Sequence, residues 1–428
     1  MLVRGVARPV LAGVVTALVG FGGAFTVVLT GLRAAGASEG QAASGLLTVC
    51  LASGVVAVVL GLRTRQPISI AWSTPGAALL ISAGTPAGGF AAAEGAFLLC
   101  GALIVVAGLV RPLGRLIAAI PAPLASAMLA GVLLDLCLAP VRALHDVPLV
   151  AAPVIVVWAL LARFARPWAV PGALVVAVAG IALTGSGLSG VAVAPRLEWT
   201  APTFDAATLV SIGLPLFLVT MASQNVPGMA VLAQFGFRPR LRGILVSTGL
   251  ATLAGAPFGG HAVNLAAISA ALAAGPDAGP DPDRRWIASI TAGIGLAVLG
   301  LGAGLATALL LLSPPVLVEA VAGLALLGAL AAAVSSAVAE PSGREAAVVT
   351  FVVTAAGVGF AGVGSAFWGL LAGGAILLLH RRREPAPHDD PAGVSVGAGA
   401  GPGGRRSPRG RHGRRSRNWP AARPRRRG

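Results

Sequence analysis

Apolar runs of membrane-crossing length recur along the chain from Leu11 to Leu379, separated by short polar breaks. A bilayer core about 30 Å thick takes about 20 apolar residues per helix. Read on that scale, the pattern predicts fourteen spans: 9–32, 41–62, 67–82, 90–110, 121–139, 148–163, 168–184, 208–234, 241–257, 259–274, 286–310, 312–337, 345–357 and 360–380. Several are too short to cross alone, among them 67–82, 259–274 and 345–357. The expected fold class is an all-α polytopic membrane protein.

The third span is a poor membrane helix. Pro67 and Pro75 bracket the β-leaning run Ile68 to Trp72, and Thr74-Pro75-Gly76 reads as a helix start, with a hydroxyl cap and Pro in the first turn. The segment is therefore expected to be extended first and helical second. Irregular backbone at membrane depth survives only where protein or a water-filled cavity satisfies it. A half-helix N-terminus there offers N–H groups and a positive dipole end to an anion.

A second segment, Pro257 to Leu272, has the same plan. Aligning Pro67 with Pro257 sets Thr74 opposite Asn264, both cap-type residues before an apolar run. Paired interrupted segments in two halves point to a transporter binding site; two ordinary Pro-kinked helices are the alternative.

The broken segments are third and tenth, so each is third of seven. An odd number of spans per half makes the halves run in opposite directions, an inverted repeat. The expected organisation is residues 1–184 as the first repeat, 185–207 as a polar connector, 208–380 as the second repeat and 381–428 as a disordered Arg-rich tail. With the N-terminus in the cytoplasm, alternation of these spans puts fourteen arginines of residues 1–380 on the cytoplasmic side. Arg33, Arg142 and Arg196 fall opposite, as the positive-inside rule asks. Both termini are then cytoplasmic, and the localisation expected is a bacterial-type inner membrane.

Composition agrees with a membrane protein: 56% of the 428 residues are hydrophobic and 11% charged, against about 25% charged in soluble chains. The net charge of +16 is mostly tail, since 14 arginines and 3 acids lie from Arg381 onward. Such a tail suits anionic lipid headgroups or plain solvation, and no nucleic-acid partner is expected. The Leu11–Leu32 run is too long for a signal core and lacks a clear cleavage site, so the first helix is expected to be retained. Cys50, Cys100 and Cys137 lie in apolar runs without CxxC spacing and read as small buried residues.

Polar residues inside spans carry the candidate chemistry. Ser223, Gln224 and Asn225 stand together in the eighth span just before Pro227-Gly228, and serve either a substrate cavity or interhelical hydrogen bonding. His261, in the extended part of the tenth span, is either a proton-exchanging imidazole or a structural hydrogen-bonding group. Trp72 and Phe258 hold comparable places in the two broken segments and offer faces to an aromatic ligand. Gly20 to Phe25 in the first span allows close approach of another segment or of a ligand.

Asp135 and Glu319 are the acids expected within the membrane and the weaker candidates for proton coupling beside His261. Glu94 is placed at an interface. Gly357 to Gly362 matches GxGxxG without the strand or the downstream acid that a dinucleotide site needs, and Gly369 with Gly373 form GxxxG; both read as packing. There is no Walker loop, HExxH, GxSxG or metal-ligand cluster, so ATP-driven transport and hydrolase chemistry have no support, and neither a cofactor nor a metal is expected.

Pro9 to Gly13, Gln66 to Leu79, Gln224 to Leu232 and Ala256 to Leu265 together resemble the BenE-type benzoate/proton symporters, over about residues 5–380. That family is similar in fold to nucleobase permeases and sulfate-type anion transporters. The resemblance implies seven-plus-seven inverted repeats with core and gate domains and short strands in segments 3 and 10. It sets the binding site between those strands, beside segments 1 and 8. It implies secondary active import of benzoate or a related aromatic carboxylate by proton symport, with the lipid bilayer as surroundings and a homodimer compatible with the plan. The substrate-binding residues are then Trp72, Ser73, Thr74, Gly76, Ser223, Gln224, Asn225, Phe258, His261 and Asn264. Nucleobase permeases commonly carry an acid in segment 8; Gln224-Asn225 there weakens a nucleobase reading and suits an anion. A nucleobase or inorganic-anion transporter on the same fold, and a non-transporting scaffold acting through its basic tail, are the alternatives.

Overall fold

The structure, a computed structural model, describes residues 2–110, 121–183, 196–311, 315–360 and 364–381. The expected Arg-rich tail beyond Arg381, residues 185–195 of the connector and the end of the Gly357–Gly362 motif lie outside the described residues. The chain is a polytopic membrane protein, mostly helical. Among the described residues seven helices are long and apolar enough to cross a membrane, and shorter apolar helices stand between them.

In chain order the helices are α1 (Leu2–Gly22), α2 (Phe25–Ala34), α3 (Glu39–Thr64), α4 (Thr74–Ala83) and α5 (Gly89–Leu109). Then come α6 (Ala122–Asp146), α7 (Pro148–Phe164), α8 (Ala169–Leu183), α9 (Ala206–Gln234), α10 (Leu241–Gly255) and α11 (Ala267–Ala274). The last are α12 (Trp286–Gly300), α13 (Ala303–Leu311), α14 (Pro315–Ala337), α15 (Arg344–Ala355) and α16 (Ser365–Arg381). Two strands, β1 (Ile70–Trp72) and β2 (Val263–Leu265), precede α4 and α11.

The strands form one antiparallel pair, with Ile70 opposite Leu265, Ala71 opposite Asn264 and Trp72 opposite Val263. The ladder continues at both ends, where Ala266 N–H donates to the Ser69 carbonyl (2.9 Å) and Ser73 N–H to the Ala262 carbonyl (2.8 Å). Each short strand thereby satisfies the other's backbone at a depth where water is scarce. The extended-then-helical expectation for both segments is met.

The alignment of Thr74 with Asn264 as paired caps is corrected. The cap of α4 is Ser73, whose Oγ accepts from Gly76 N–H (3.1 Å); Thr74 is already helical. Asn264 lies within β2, and Ala266 holds the N-cap position of α11 without a side-chain bond. Matching prolines gave an alignment of the two segments side by side, whereas antiparallel strands pair by hydrogen-bond register.

Two predicted spans are interrupted. The first divides at Gly23-Ala24 into α1 and α2, within the Gly20–Phe25 cluster, and 286–310 divides at Leu301-Gly302 into α12 and α13. Helix α9 stays continuous but widens at two π-turns, Leu209–Gly213 and Met221–Asn225. Such turns free backbone groups and often mark functional positions. Its start is fixed by Asp205, whose carboxylate accepts from the Thr208 hydroxyl (2.7 Å) and N–H (2.8 Å) and is held below the usual carboxylate range by those bonds.

Helix α3 packs on α12, α5 on α10, α1 on α12 and α2 on α4; α6 packs on α14 and α15, α15 on α16 and α7 on α8. Small residues permit the close approach expected between membrane helices. A Cβ placed on Gly373 would overlap Thr350 Oγ1, and one on Gly369 would overlap Thr354 Oγ1, so the GxxxG pair on α16 does pack on α15. Cys50, Cys100 and Cys137 are free thiols and buried.

Candidate functional site

Ser73 is the node where β1 becomes α4, and every polar atom it has is engaged. Its N–H meets the Ala262 carbonyl, and its carbonyl accepts from Ala77 N–H (2.9 Å) and faces His261 Nε2 (3.2 Å). Its Oγ takes Gly76 N–H and, from α9, the Thr220 hydroxyl (3.0 Å). The Asn264 amide, oriented so that donors meet acceptors, brings its oxygen to Ser73 N–H (3.1 Å) and its nitrogen to the Leu265 carbonyl (3.1 Å). Ser73, Thr220, His261 and Asn264 are all fully buried.

The π-turn of α9 supplies the next contact. Asn225, also fully buried, accepts Leu265 N–H on Oδ1 (3.1 Å), while its Nδ2 lies 3.4 Å from both the Thr220 carbonyl and the Met221 sulfur. The turn thus aims an amide at β2, tying α9 to the strand pair. On the far side Thr252 of α10 accepts Val263 N–H on its hydroxyl (3.0 Å). Gly76 is buried, and a Cβ there would meet Leu216 at 2.5 Å, so α4 approaches α9 as closely as a bare backbone permits.

The His261 ring is polarised by its surroundings. A ring nitrogen facing a carbonyl carries the hydrogen, so a neutral imidazole has its proton on Nε2 and an acceptor at Nδ1. Nδ1 has no hydrogen-bond partner among the described residues. The ring also meets Phe97 of α5 edge-on, at 6.4 Å between centroids.

The remaining predicted residues divide. Trp72 is buried and meets Phe21 edge-on at 6.2 Å; Phe21 in turn stacks on Phe25 at 5.2 Å, across the α1–α2 break. Phe258 stands apart, against Trp199 at 5.4 Å, with its carbonyl taken by Ser44 Oγ (2.9 Å). Ser223 donates back to its own helix at the Val219 carbonyl (2.5 Å), and Thr74 and Gln224 are half-buried. Asp135 is exposed and ion-paired with Arg142 on the same helix; half-buried Glu319 of α14 lies near enough to add to the field at that arginine.

Sequence reading missed three buried groups. Thr220 and Thr252 carry no signal, because Thr is common in apolar helices. Glu94, expected at an interface, is fully buried.

Comparison with known proteins identifies the family and the fold. The family model described as benzoate membrane transport protein (BenE) matches residues 6–379. "Inner membrane protein YdcO" of Escherichia coli K12 is 38% identical over 366 residues, 85% of this chain and 93% of that protein. "Benzoate membrane transport protein" of Acinetobacter baylyi is 31% identical over 366 residues, 85% of this chain and 92% of that one. Among solved structures, the transmembrane domain of the cyanobacterial bicarbonate transporter BicA superposes with a TM-score of 0.57 at 16% identity, covering 86% of this chain and 97% of that one. SLC26A9 gives 0.58 at 13% identity, over 87% of this chain and 65% of that one. At those identities the two structures speak for the fold alone. The sequence matches say more: this chain belongs to the BenE family of benzoate membrane transport proteins.

Proposed function

We propose that the protein is a secondary active transporter that imports benzoate or a related aromatic carboxylate together with protons across a bacterial-type inner membrane. The observation that carries this is the buried crossing of β1 and β2, where the α4 N-terminus, His261, Asn264 and Asn225 converge on Ser73. With its oxygen already accepting from Gly76 and Thr220, the Ser73 hydroxyl has its own hydrogen left to give. That hydrogen and the dipole end of α4 at Thr74–Gly76 suit a carboxylate.

Phe21, backed by Trp72, offers a half-buried face to an aromatic ring. Gln224 and Ser223 border the same π-turn. Fourteen segments in two inverted repeats of seven, with cytoplasmic termini, fit the two strand–helix units. Helices α1–α5 with α9–α13 then serve as a core and α6–α8 with α14–α16 as a gate, the two moving against one another.

Labelled benzoate uptake into vesicles tests the assignment. Asn264→Ala and Gln224→Ala should each depress uptake strongly; if both transport as the parent does, the site lies elsewhere. An inorganic-anion substrate is the second reading, because the α4 N-terminus and the Ser73 hydroxyl would suit a small anion as well. Displacement of the label by bicarbonate or sulfate better than by unlabelled benzoate would select it.

A further inference from the structure

Glu94 is the one fully buried carboxylate among the described residues, and neither of its oxygens has a hydrogen-bond partner there. It lies five residues into α5, under the extended strap 196–205. That strap is bonded to α5 (Thr203 N–H to the Ala91 carbonyl, 3.0 Å), to the Pro257 carbonyl (Thr200 N–H, 2.9 Å) and to α3 (Gln41 Nε2 to the Thr200 hydroxyl, 2.9 Å). The Thr200 hydroxyl and Gly259 amide are near enough to polarise the carboxyl, yet neither reaches hydrogen-bond geometry.

No cation faces it. Of the elements packed on this side of α5, α10 brings Thr248 and Thr252, and the first turns of α9 bring only Thr208 and Ser211. The strap brings exposed Arg196 and Glu198 and half-buried Asp205, the last bound to Thr208. A bare carboxylate at this depth, unpaired, is costly. A carboxyl that shuttles a proton is the ordinary reason to keep one.

One turn further along the same helix is Phe97, whose ring touches His261. Gly259, beside Glu94, is two residues before His261 in the chain. The two unpartnered groups, a buried acid and the open Nδ1 of a buried imidazole, therefore lie on two segments that meet at Phe97 and Gly259, and His261 reaches the site through the Ser73 carbonyl.

Building on the symport reading, we propose that Glu94 is the proton-carrying residue and His261 Nδ1 its acceptor. The proton enters from the strap side and rests on the Glu94 carboxyl. Substrate carboxylate at the α4 N-terminus then draws it to Nδ1, giving an imidazolium beside the bound anion and a carboxylate at Glu94. After release of substrate and proton on the far side, the carboxylate is reprotonated.

Purified protein in liposomes tests this with two assays of labelled benzoate, each net of protein-free liposomes because benzoic acid itself permeates. Counterflow exchange needs no net proton movement; uptake driven by an imposed pH gradient does, and a one-unit gradient lets a one-proton symporter accumulate about tenfold. Glu94→Gln should lose gradient-driven accumulation and the matching proton flux but keep counterflow. Glu94→Asp should keep both, with slower coupled uptake, and it serves if the glutamine variant does not fold. Gradient-driven accumulation in Glu94→Gln equal to that of the parent overturns the proposal. A parent protein without benzoate counterflow would refute the substrate reading instead; one with counterflow but no response to the gradient would refute symport.

Discussion

Asn225→Ala puts the link between α9 and the strand pair to a quantitative test. The parent Oδ1 is the acceptor for Leu265 N–H at 3.1 Å, and both residues are fully buried. Truncation leaves that N–H without its partner in a region with little water, a loss of about 1–3 kcal/mol. The two Nδ2 contacts at 3.4 Å are long for hydrogen bonds and add less. A destabilisation of about 2 kcal/mol is expected, read by reversible denaturant unfolding in detergent micelles. Ser223→Ala is the control: its hydroxyl serves only the Val219 carbonyl of its own helix, so the change should stay within about 0.5 kcal/mol. Asn225→Asp keeps the acceptor for Leu265 but sets a fully buried carboxylate against the Thr220 carbonyl, so it too should lose stability and should take up benzoate poorly. If Asn225→Ala unfolds with Ser223→Ala rather than well before it, Asn225 does not hold β2, and the account of the π-turn fails.

Two further changes follow from the packing. Thr252→Val preserves shape but removes the acceptor for Val263 N–H, so the same unfolding assay should show a loss of about 1–3 kcal/mol; Thr248→Val, whose hydroxyl bonds only within its own helix, should show much less. Gly373→Leu forces a Cβ against Thr350 Oγ1 and the Ala346 carbonyl and should cost about 1–3 kcal/mol or more. Gly374→Leu, where a Cβ meets nothing within 4 Å, should be near neutral, and equal losses from the two would deny the α15–α16 contact.

The membrane class and the two interrupted segments could be read from the sequence because their signals are local: long apolar runs, paired prolines and β-branched residues where a helix would otherwise run. The breaks at Gly23-Ala24 and Leu301-Gly302 left no such mark, since glycine among apolar residues is equally at home in a packed helix. Pairing was hidden for a different reason. Register is a relation between distant segments, so the match of Ala71 with Asn264 follows from backbone ladders that no residue type announces. Candidate residues were legible where a polar side chain had no other excuse for its depth, as with His261, Asn264 and Asn225. Glu94 escaped because Gly88-Gly89 just before it looks like a loop edge, and only the strap from 196–205 turns that edge into interior.

The cap of α4 shows how much a shift of one residue matters. Placed at Thr74, the cap would leave Ser73 a strand residue with a spare hydroxyl. Placed at Ser73, one side chain holds Gly76 N–H, receives Thr220 from α9 and sits beside the backbone atoms that meet β2 and His261. Losing an N-cap costs about 0.5–2 kcal/mol, and here the Thr220 hydroxyl loses its partner as well. Ser73→Ala should therefore destabilise the protein and depress benzoate uptake together, whereas Ser73→Thr, which keeps the oxygen, should retain more of both. Thr74→Ala should leave stability within about 0.5 kcal/mol of the parent. A larger loss at Thr74 than at Ser73 would return the cap to Thr74. The anion end of the site would then have to be rebuilt without the Ser73 hydroxyl, since that group can serve a ligand only while Gly76 and Thr220 hold its oxygen in place.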